Sequence, residues 1–276
     1  MKKPLLHPVT DKKMSLLLHD LPQSLLLTGP VGVGLGTVAT YIGQTVGDVM
    51  LTILPEKDEK VDIEKGTIGV NSIRKLYGQT RTIQSGKLII VIDYAERMTT
   101  TAQNAFLKLL EEPGSEIYFI LATHSPSKLL PTITSRAQTF DIQPVTSSQS
   151  ETFLDDAGAN PAKKRTQIVY MADGLPAEMT RLLDSDSYFD ERVAIVRDAR
   201  DLLQAKTYQK MVIANKYKDN REAALMLLTT TSNILRKSIS EKPHVHSIEQ
   251  IESLLFAYQQ IQANGNIRLC LARLVV

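Results

Sequence analysis

The chain has 276 residues, 43% of them apolar and 22% charged, which is typical of a soluble globular protein. This length allows two or three domains, and no apolar run reaches the roughly 18 residues that a membrane span needs. The net charge of +2 is too small to indicate nucleic-acid binding by itself. Cys270 is the only cysteine, which excludes an internal disulfide and favours the reducing cytoplasm, so we expect a cytoplasmic protein.

The first half of the chain alternates short apolar runs with segments of helical spacing. We predict strands at 24–28, 49–54, 88–92, 117–122 and 138–142, a glycine loop at 29–36 and helices at 37–46, 67–77 and 99–113. Residues 55–65 are charged, and we expect them to be exposed. Strands that alternate with helices predict right-handed crossovers and an α/β domain with a parallel sheet over about residues 1–145.

The second half carries helical signals only. We predict short helices at 148–157, 163–172 and 176–183, a hinge at the DSDS run 184–187, and longer helices at 188–205, 207–217, 219–239, 247–263 and 266–275. The sequence contains no internal repeat. The predicted class is therefore a parallel-sheet domain followed by a helical part.

The glycine loop resembles a phosphate-binding loop, G-x-x-x-x-G-K-[ST], but lacks its two functional side chains. Gly29 and Gly34 have the required spacing, and Gly32 lies between them, so the backbone amides could still bind an anion. The lysine position holds Leu35 and the hydroxyl position holds Gly36. Thr37 comes one residue late, about 100° around the helix.

Losing the lysine removes a charge-assisted contact worth roughly 1.5–3 kcal/mol. We therefore expect no required cofactor, no resident metal and at most weak binding of ATP and Mg²⁺.

Asp93 ends the third predicted strand, where a carboxylate could hold a metal ion through water. The next position, where a water-activating glutamate would be expected, holds Tyr94. A phenol with a pKa near 10 is a poor base at neutral pH. Glu96 lies further along and is not expected to replace that glutamate. We expect little or no intrinsic ATP hydrolysis.

Arg136 stands in LLPTITSRAQTF, after a short helical turn and before the fifth strand. A guanidinium at the edge of the domain could reach the γ-phosphate of a nucleotide held by a neighbouring subunit and stabilise charge there. The alternative is a surface arginine in a local ion pair. Arg136 alone does not decide between them.

Longer motifs carry a family resemblance. The segments LIIVIDYAERM, AQNAFLKLLEEP and LATHSPSKLLPTITSRAQTF resemble the clamp-loader family of AAA+ ATPases, most closely its delta-prime branch in bacterial DNA polymerase III. Ile73 and Arg74 match the family's I-R-x-L helix, and Ser135-Arg136-Ala137 matches its S-R-C motif with alanine replacing cysteine. Gly174-Leu175-Pro176 matches the start of its lid helix, and 264–274 resembles its last collar helix.

The resemblance implies an AAA+ domain at 1–146, a helical lid at 147–186 and a helical collar for oligomerisation at 187–276. It implies a subunit that helps to place a sliding clamp on primer–template DNA, beside gamma/tau-type ATPase and delta-type subunits, and without membrane association. Delta-prime subunits have a degenerate phosphate loop and donate an arginine finger, which assigns that role to Arg136. Thr123 occupies the position where a γ-phosphate sensor would sit, but because the loop has no lysine we expect a structural role for it instead.

Two other readings remain open. An active gamma/tau-like ATPase is the nearer one. A dinucleotide-binding oxidoreductase is the more remote one. GLGTVA (34–39) satisfies G-x-G-x-x-A, but residues 29–33 separate this motif from its strand.

His244 and His246 could form a metal pair, but an exposed linker explains them as well. The resemblance departs from the family in one further point, since a chain with one cysteine cannot form the four-cysteine zinc module found in many members.

Overall fold

Five parallel strands form the central sheet of the protein, whose computed structural model describes residues 3–47, 49–82, 86–114, 116–158, 162–241 and 245–274. The strands are β1 Ser24–Thr28, β2 Val49–Ile53, β5 Leu88–Ile92, β6 Ile117–Thr123 and β7 Gln138–Asp141. Their order is β2-β5-β6-β1-β7, and every neighbouring pair is parallel. The predicted parallel sheet is confirmed, with strand ends that differ by at most one residue.

The three central strands of the sheet, β5, β6 and β1, are buried on both faces, as continuous apolar strands require. Successive side chains of β5 point to opposite faces, so Ile90 and Ile92 join one core cluster while Ile89 and Val91 join the other. Helices cover both faces and complete these two clusters. Because β1 lies between β6 and β7, the loop that follows β1 emerges from the interior of the sheet rather than from its edge.

The helices of the first part differ in places from the predicted ones. They are α1 Pro8–His19, α2 Leu35–Val46, α3 Val70–Thr82, α4 Thr100–Glu111, α5 Pro131–Thr134, α6 Ser147–Asp156, α7 Ala162–Ala172 and α8 Pro176–Asp184. The prediction missed α1, which starts at a proline after the capping residue His7 and buries Met14 and Leu17. Thr99 caps α4 by accepting a hydrogen bond from the amide of Ala102.

Helix α3 begins at Val70, three residues after its predicted start. Thr67 and Ile68 are extended instead, because they form β-bridges with Glu56 and Met98. The charged segment before them contains a small antiparallel hairpin, β3 Glu56–Lys57 and β4 Lys60–Val61, with exposed side chains. The backbone of this segment therefore finds its hydrogen bonds in tertiary pairing, which residue patterns do not reveal.

The second part of the chain is helical, as predicted. It contains α9 Asp186–Gln204, α10 Thr207–Lys216, α11 Arg221–Glu241, α12 Val245–Gln262 and α13 Ile267–Arg273. These helices share a separate apolar core that includes Ile195, Leu227, Leu254 and Leu271. At the predicted hinge, Ser185 alone separates α8 from α9, and its hydroxyl caps α9 by accepting from the amide of Tyr188.

The chain divides into two compact units, 1–181 and 182–276. The finer division into 1–146, 147–186 and 187–276 stays a prediction. Within the described residues, no helix has both the length and the apolar character that crossing a membrane requires.

Candidate functional site

The glycine loop connects the carboxyl end of β1 to the first turn of α2. Gly32 and Gly34 have φ values of 90° and 92°, in the left-handed region that glycine adopts without strain. Gly34 is the N-cap of α2, and its carbonyl accepts a hydrogen bond of 3.0 Å from the amide of Val38. The two glycines therefore provide the sharp turn by which the chain enters the helix.

Leu35 points into the core. Its side chain is only 2% exposed and belongs to the apolar cluster on the α2 face of the sheet. One of its methyl carbons, Cδ2, lies 3.3 Å from the position that a Cβ on Gly29 would take. The residue at the lysine position of the loop thus packs beneath the loop and offers no cation to an anion above it.

Asp93 lies directly against Gly36. A Cβ added to Gly36 would be 2.3 Å from Oδ2 of Asp93, closer than any real carbon–oxygen contact. The other oxygen, Oδ1, accepts a hydrogen bond of 3.0 Å from the amide of Tyr94. The carboxylate therefore occupies the space that a side chain at the hydroxyl position of the loop would need. Thr37, one residue later, is exposed.

Burial raises the pKa of the Asp93 carboxyl above its usual value, while the Tyr94 amide and the nearby His124 oppose the rise. Burial also raises the pKa of the Tyr94 phenol, and the carboxylates of Asp93 and Glu96 add to that effect. The phenol is therefore protonated at neutral pH and cannot act as a general base.

His124 and Glu96 complete this group, and sequence reasoning missed the role of both. Nδ1 of His124 lies 2.9 Å from the carbonyl oxygen of Gly29, and the ring meets Tyr94 edge-on at 5.8 Å between centroids. Oε1 of Glu96 accepts from the amide of His124 at 3.4 Å. Among the described residues, Oε2 of Glu96 is buried without a hydrogen-bond partner. The sequence position of His124 could have predicted this contact. His124 directly follows β6, and the carboxyl ends of parallel strands meet at one edge of the sheet.

Thr123 is the last residue of β6 and is fully buried. Its hydroxyl oxygen accepts a hydrogen bond of 3.1 Å from the amide of Ser125. In the sheet it stands opposite Thr28, the last residue of β1. The side chain thus has a local structural partner at the position where a phosphate sensor would be expected.

Helix α8 lies directly on the glycine loop. The carbonyl of Gly32 accepts hydrogen bonds from the amides of Ala177, at 2.9 Å, and Glu178, at 3.3 Å. A Cβ on Gly32 would meet Cβ of Glu178 at 3.3 Å. The charge of Arg181, one turn along α8, is close enough to Tyr94 to oppose the rise of its pKa. The loop therefore satisfies the free amides at the start of α8 and is covered by that helix.

Arg136 lies apart from this group, two residues after α5 and two before β7. Its guanidinium donates to the carbonyl of Thr132 through Nη1 and to Oε1 of Glu111 through Nη2, each at 3.1 Å. The side chains of Arg136 and Glu111 are 40% and 52% exposed. An ion pair this exposed contributes about 0–1 kcal/mol to the stability of the fold.

The sequence also suggested His244 and His246 as a metal pair. His244 lies outside the described residues, and His246 falls within α12, where its side chain is not described. In the described ranges, no three or more histidine, cysteine, aspartate or glutamate side chains are arranged to hold a metal ion.

Comparison with known proteins gives consistent results. A family model described as "DNA polymerase III, delta subunit" matches residues 13–146. The chain is 26% identical to DNA polymerase III subunit delta′ of Bacillus subtilis, over 70% of the chain and 66% of that protein. It is 31% identical to the delta′ subunit of Pseudomonas aeruginosa, over 54% of the chain and 44% of that protein. It is also 24% identical to a replication factor C small subunit of Methanococcus maripaludis, over 91% of the chain and 86% of that protein.

The chain thus spans less than two thirds of the two bacterial relatives' own lengths. Solved structures extend the likeness at the level of the fold. A gamma-subunit-related protein of DNA polymerase III from Thermotoga maritima superposes with a TM-score of 0.52 and 18% identity, over 96% of each chain. The RuvB Holliday-junction branch-migration motor of the same organism superposes with a TM-score of 0.51 and 16% identity, over 83% of this chain and 76% of that one.

Proposed function

Because the chain is a member of the clamp-loader family of AAA+ proteins, we propose that it is a delta-prime-type subunit of the DNA polymerase III clamp loader. In this role it does not hydrolyse ATP itself. It supplies Arg136 as an arginine finger to the ATP site of a neighbouring subunit while the sliding clamp is placed on primed DNA.

The main support for a non-hydrolysing subunit is that the glycine loop lacks the side chains that hold Mg–ATP and that a carboxylate lies against the first turn of α2. Leu35 is buried in the core, and the carboxylate of Asp93 lies where a side chain at Gly36 would have to be. Mg²⁺ and the β/γ-phosphates would find neither the ammonium nor the hydroxyl that usually holds them. Tyr94, with its raised pKa, offers no base for an attacking water. The residues present therefore do not fit tightly bound Mg–ATP.

Support for the finger comes from the exposure and weak pairing of Arg136. A guanidinium that is always charged and 40% exposed has N–H donors left to bind a phosphate oxygen besides its single carboxylate partner. An arginine delivered in trans stabilises the charge that develops on a transferring phosphoryl group. The proposed neighbour is a gamma/tau-type ATPase subunit, and the proposed assembly also includes a delta-type subunit, the clamp and primer–template DNA.

ATP binding to the purified chain, measured by calorimetry with and without the partner subunits, tests the first half of the proposal. We expect no saturable binding to the chain alone below about 1 mM ATP. ATP turnover by the isolated chain that is lost with Asp93→Asn and survives Arg136→Ala would instead identify an active motor subunit.

The steady-state ATPase of the reconstituted complex tests the second half. With Arg136→Ala, turnover at the adjoining site is expected to fall by about 10³-fold or more, because the finger acts on the transition state. Unchanged turnover at every site would leave the chain a ring member without a finger.

A further inference from the structure

Glu111 contacts Arg136 at the surface of the first unit. It is not part of the glycine-loop site described above. The two residues come from different elements. Glu111 is the last residue of α4, and Arg136 follows α5. Both backbones are anchored, since Leu109 and Leu110 of α4 are buried and the amide of Arg136 donates to the carbonyl of the fully buried Ile133. The contact therefore joins two fixed points, and the guanidinium between them has a defined position.

The geometry of the contact leaves the guanidinium available. An arginine has five N–H donors. The Thr132 carbonyl accepts from one on Nη1 and Oε1 of Glu111 accepts from one on Nη2, which leaves three donors without a partner among the described residues. Arg165 and Asp155 provide a contrast, because there Nη1 and Nη2 each reach a different carboxylate oxygen and the fork is closed. One carboxylate oxygen thus orients the Arg136 guanidinium and occupies only one of its N–H donors.

We infer that Glu111 is a positioning residue for Arg136: its carboxylate and the Thr132 carbonyl fix the guanidinium plane and leave the remaining N–H donors directed to an anionic oxygen of a phosphate group outside this chain. This inference rests on the proposed finger function. A side chain of such length otherwise samples many rotamers, and orienting it before the neighbour arrives removes that entropy cost from the catalysed step.

The test uses the reconstituted complex with this subunit as wild type, Glu111→Ala, Glu111→Gln or Arg136→Ala. The matched control is Glu112→Ala, which removes the same charge from the next, exposed residue. We expect Glu111→Ala to lower kcat for ATP about 3- to 5-fold with KM unchanged, because only transition-state stabilisation is lost. Glu111→Gln keeps an acceptor oxygen and is expected to restore kcat to within about 2-fold of wild type. Glu112→Ala is expected to behave as wild type.

A second measurement, on the isolated chain, reports directly how strongly Glu111 restrains Arg136. Phenylglyoxal modification of Arg136, followed by mass spectrometry, should be about 2-fold faster or more in Glu111→Ala, as release of an exposed ion pair allows. Glu112→Ala should not change that rate, and modification of Arg165 provides an internal reference. An unchanged rate at Arg136 in Glu111→Ala would overturn the inference.

These outcomes distinguish a failure of the positioning role of Glu111 from a failure of the proposed finger function of Arg136. If Arg136→Ala lowers kcat but Glu111→Ala leaves it unchanged or raises it, the finger stands and the positioning role is overturned. If Arg136→Ala has no effect, both are overturned. If Glu111→Ala and Glu111→Gln lower kcat equally, charge rather than a held hydrogen bond matters, and the positioning role also fails.

Discussion

Gly36 and Asp93 are in close contact where the glycine loop enters α2. The absence of a Cβ at Gly36 allows the Asp93 carboxylate to approach the first turn of α2. In return, the carboxylate is buried and accepts the Tyr94 amide, so it cannot easily move away. Restoring a hydroxyl at this position therefore conflicts with the present packing.

Gly36→Ser is expected to destabilise the fold by about 1–3 kcal/mol, because its Cβ would overlap Oδ2 of Asp93. Urea unfolding measures this change. Gly69→Ser is the matched control, since a Cβ at Gly69 meets no atom within 4 Å. Equal stability of the two variants would show that Asp93 moves aside freely.

Asp93→Asn tests the electrostatic side of the same contact. The folded-state pKa of Asp93 is raised, so the folded protein holds this proton more tightly than the unfolded chain does. The ionised carboxylate therefore costs stability, and that cost grows as the pH rises from the unfolded value of about 3.8 through the raised pKa. Asn should make the protein more stable than wild type at pH 7 and lose the advantage near pH 4. Thermal unfolding at both pH values checks this, and a variant less stable at pH 7 would contradict it.

At the scale of elements, α4 is connected to the segment before α5 by one polar side chain. Gln103 is only 4% exposed, although it lies among the apolar residues of the helix. Its Nε2 donates to the carbonyls of Met98 and Lys128, each at 3.2 Å, and its Oε1 accepts from the amide of Leu130 at 2.7 Å. The side chain thus satisfies three backbone groups where the chain approaches the Arg136 region.

Gln103→Leu keeps the approximate size of the side chain and removes all three hydrogen bonds. Buried carbonyl and amide groups without partners should lower the free energy of unfolding by about 2–4 kcal/mol. Chemical denaturation measures it, and Asn104→Leu at the exposed neighbouring position is expected to change stability by less than about 0.5 kcal/mol. A similar small effect at both positions would mean that water replaces the lost partners.

At the scale of the whole molecule, the two compact units have independent apolar cores. The clusters on the two faces of the sheet lie within residues 1–181, and the third cluster lies within 182–276. A unit with its own core can fold alone. In the second unit, α9 contributes Ile195, Ala199 and Leu202 to the core.

A fragment that begins at Ser185 is therefore expected to be helical and to unfold cooperatively. A fragment that begins at Lys206 lacks α9 and should not, because its remaining helices would expose the apolar face that α9 covers. Far-UV circular dichroism during heating distinguishes the two. Cooperative unfolding of the shorter fragment would show that α9 is dispensable for the core.

The sequence by itself determined the order and type of most elements, because apolar runs of strand length and helical spacing are local properties of the chain. It also placed the glycine loop at 29–36, because the spacing of glycines is a local property of the chain as well. The sequence did not predict helix α1, because the residues that bury it are distant in the chain. One example is Gln143, whose amide donates to the hydroxyl of Thr10.

Only the tertiary structure decided which side chains meet. That Asp93 fills the space at Gly36, that His124 joins the glycine loop, and that Glu111 holds Arg136 all depend on residues brought together from separate elements. The physical reason is that a motif specifies the chemistry available at a position, whereas distance, burial and competition between partners exist only after the chain has packed.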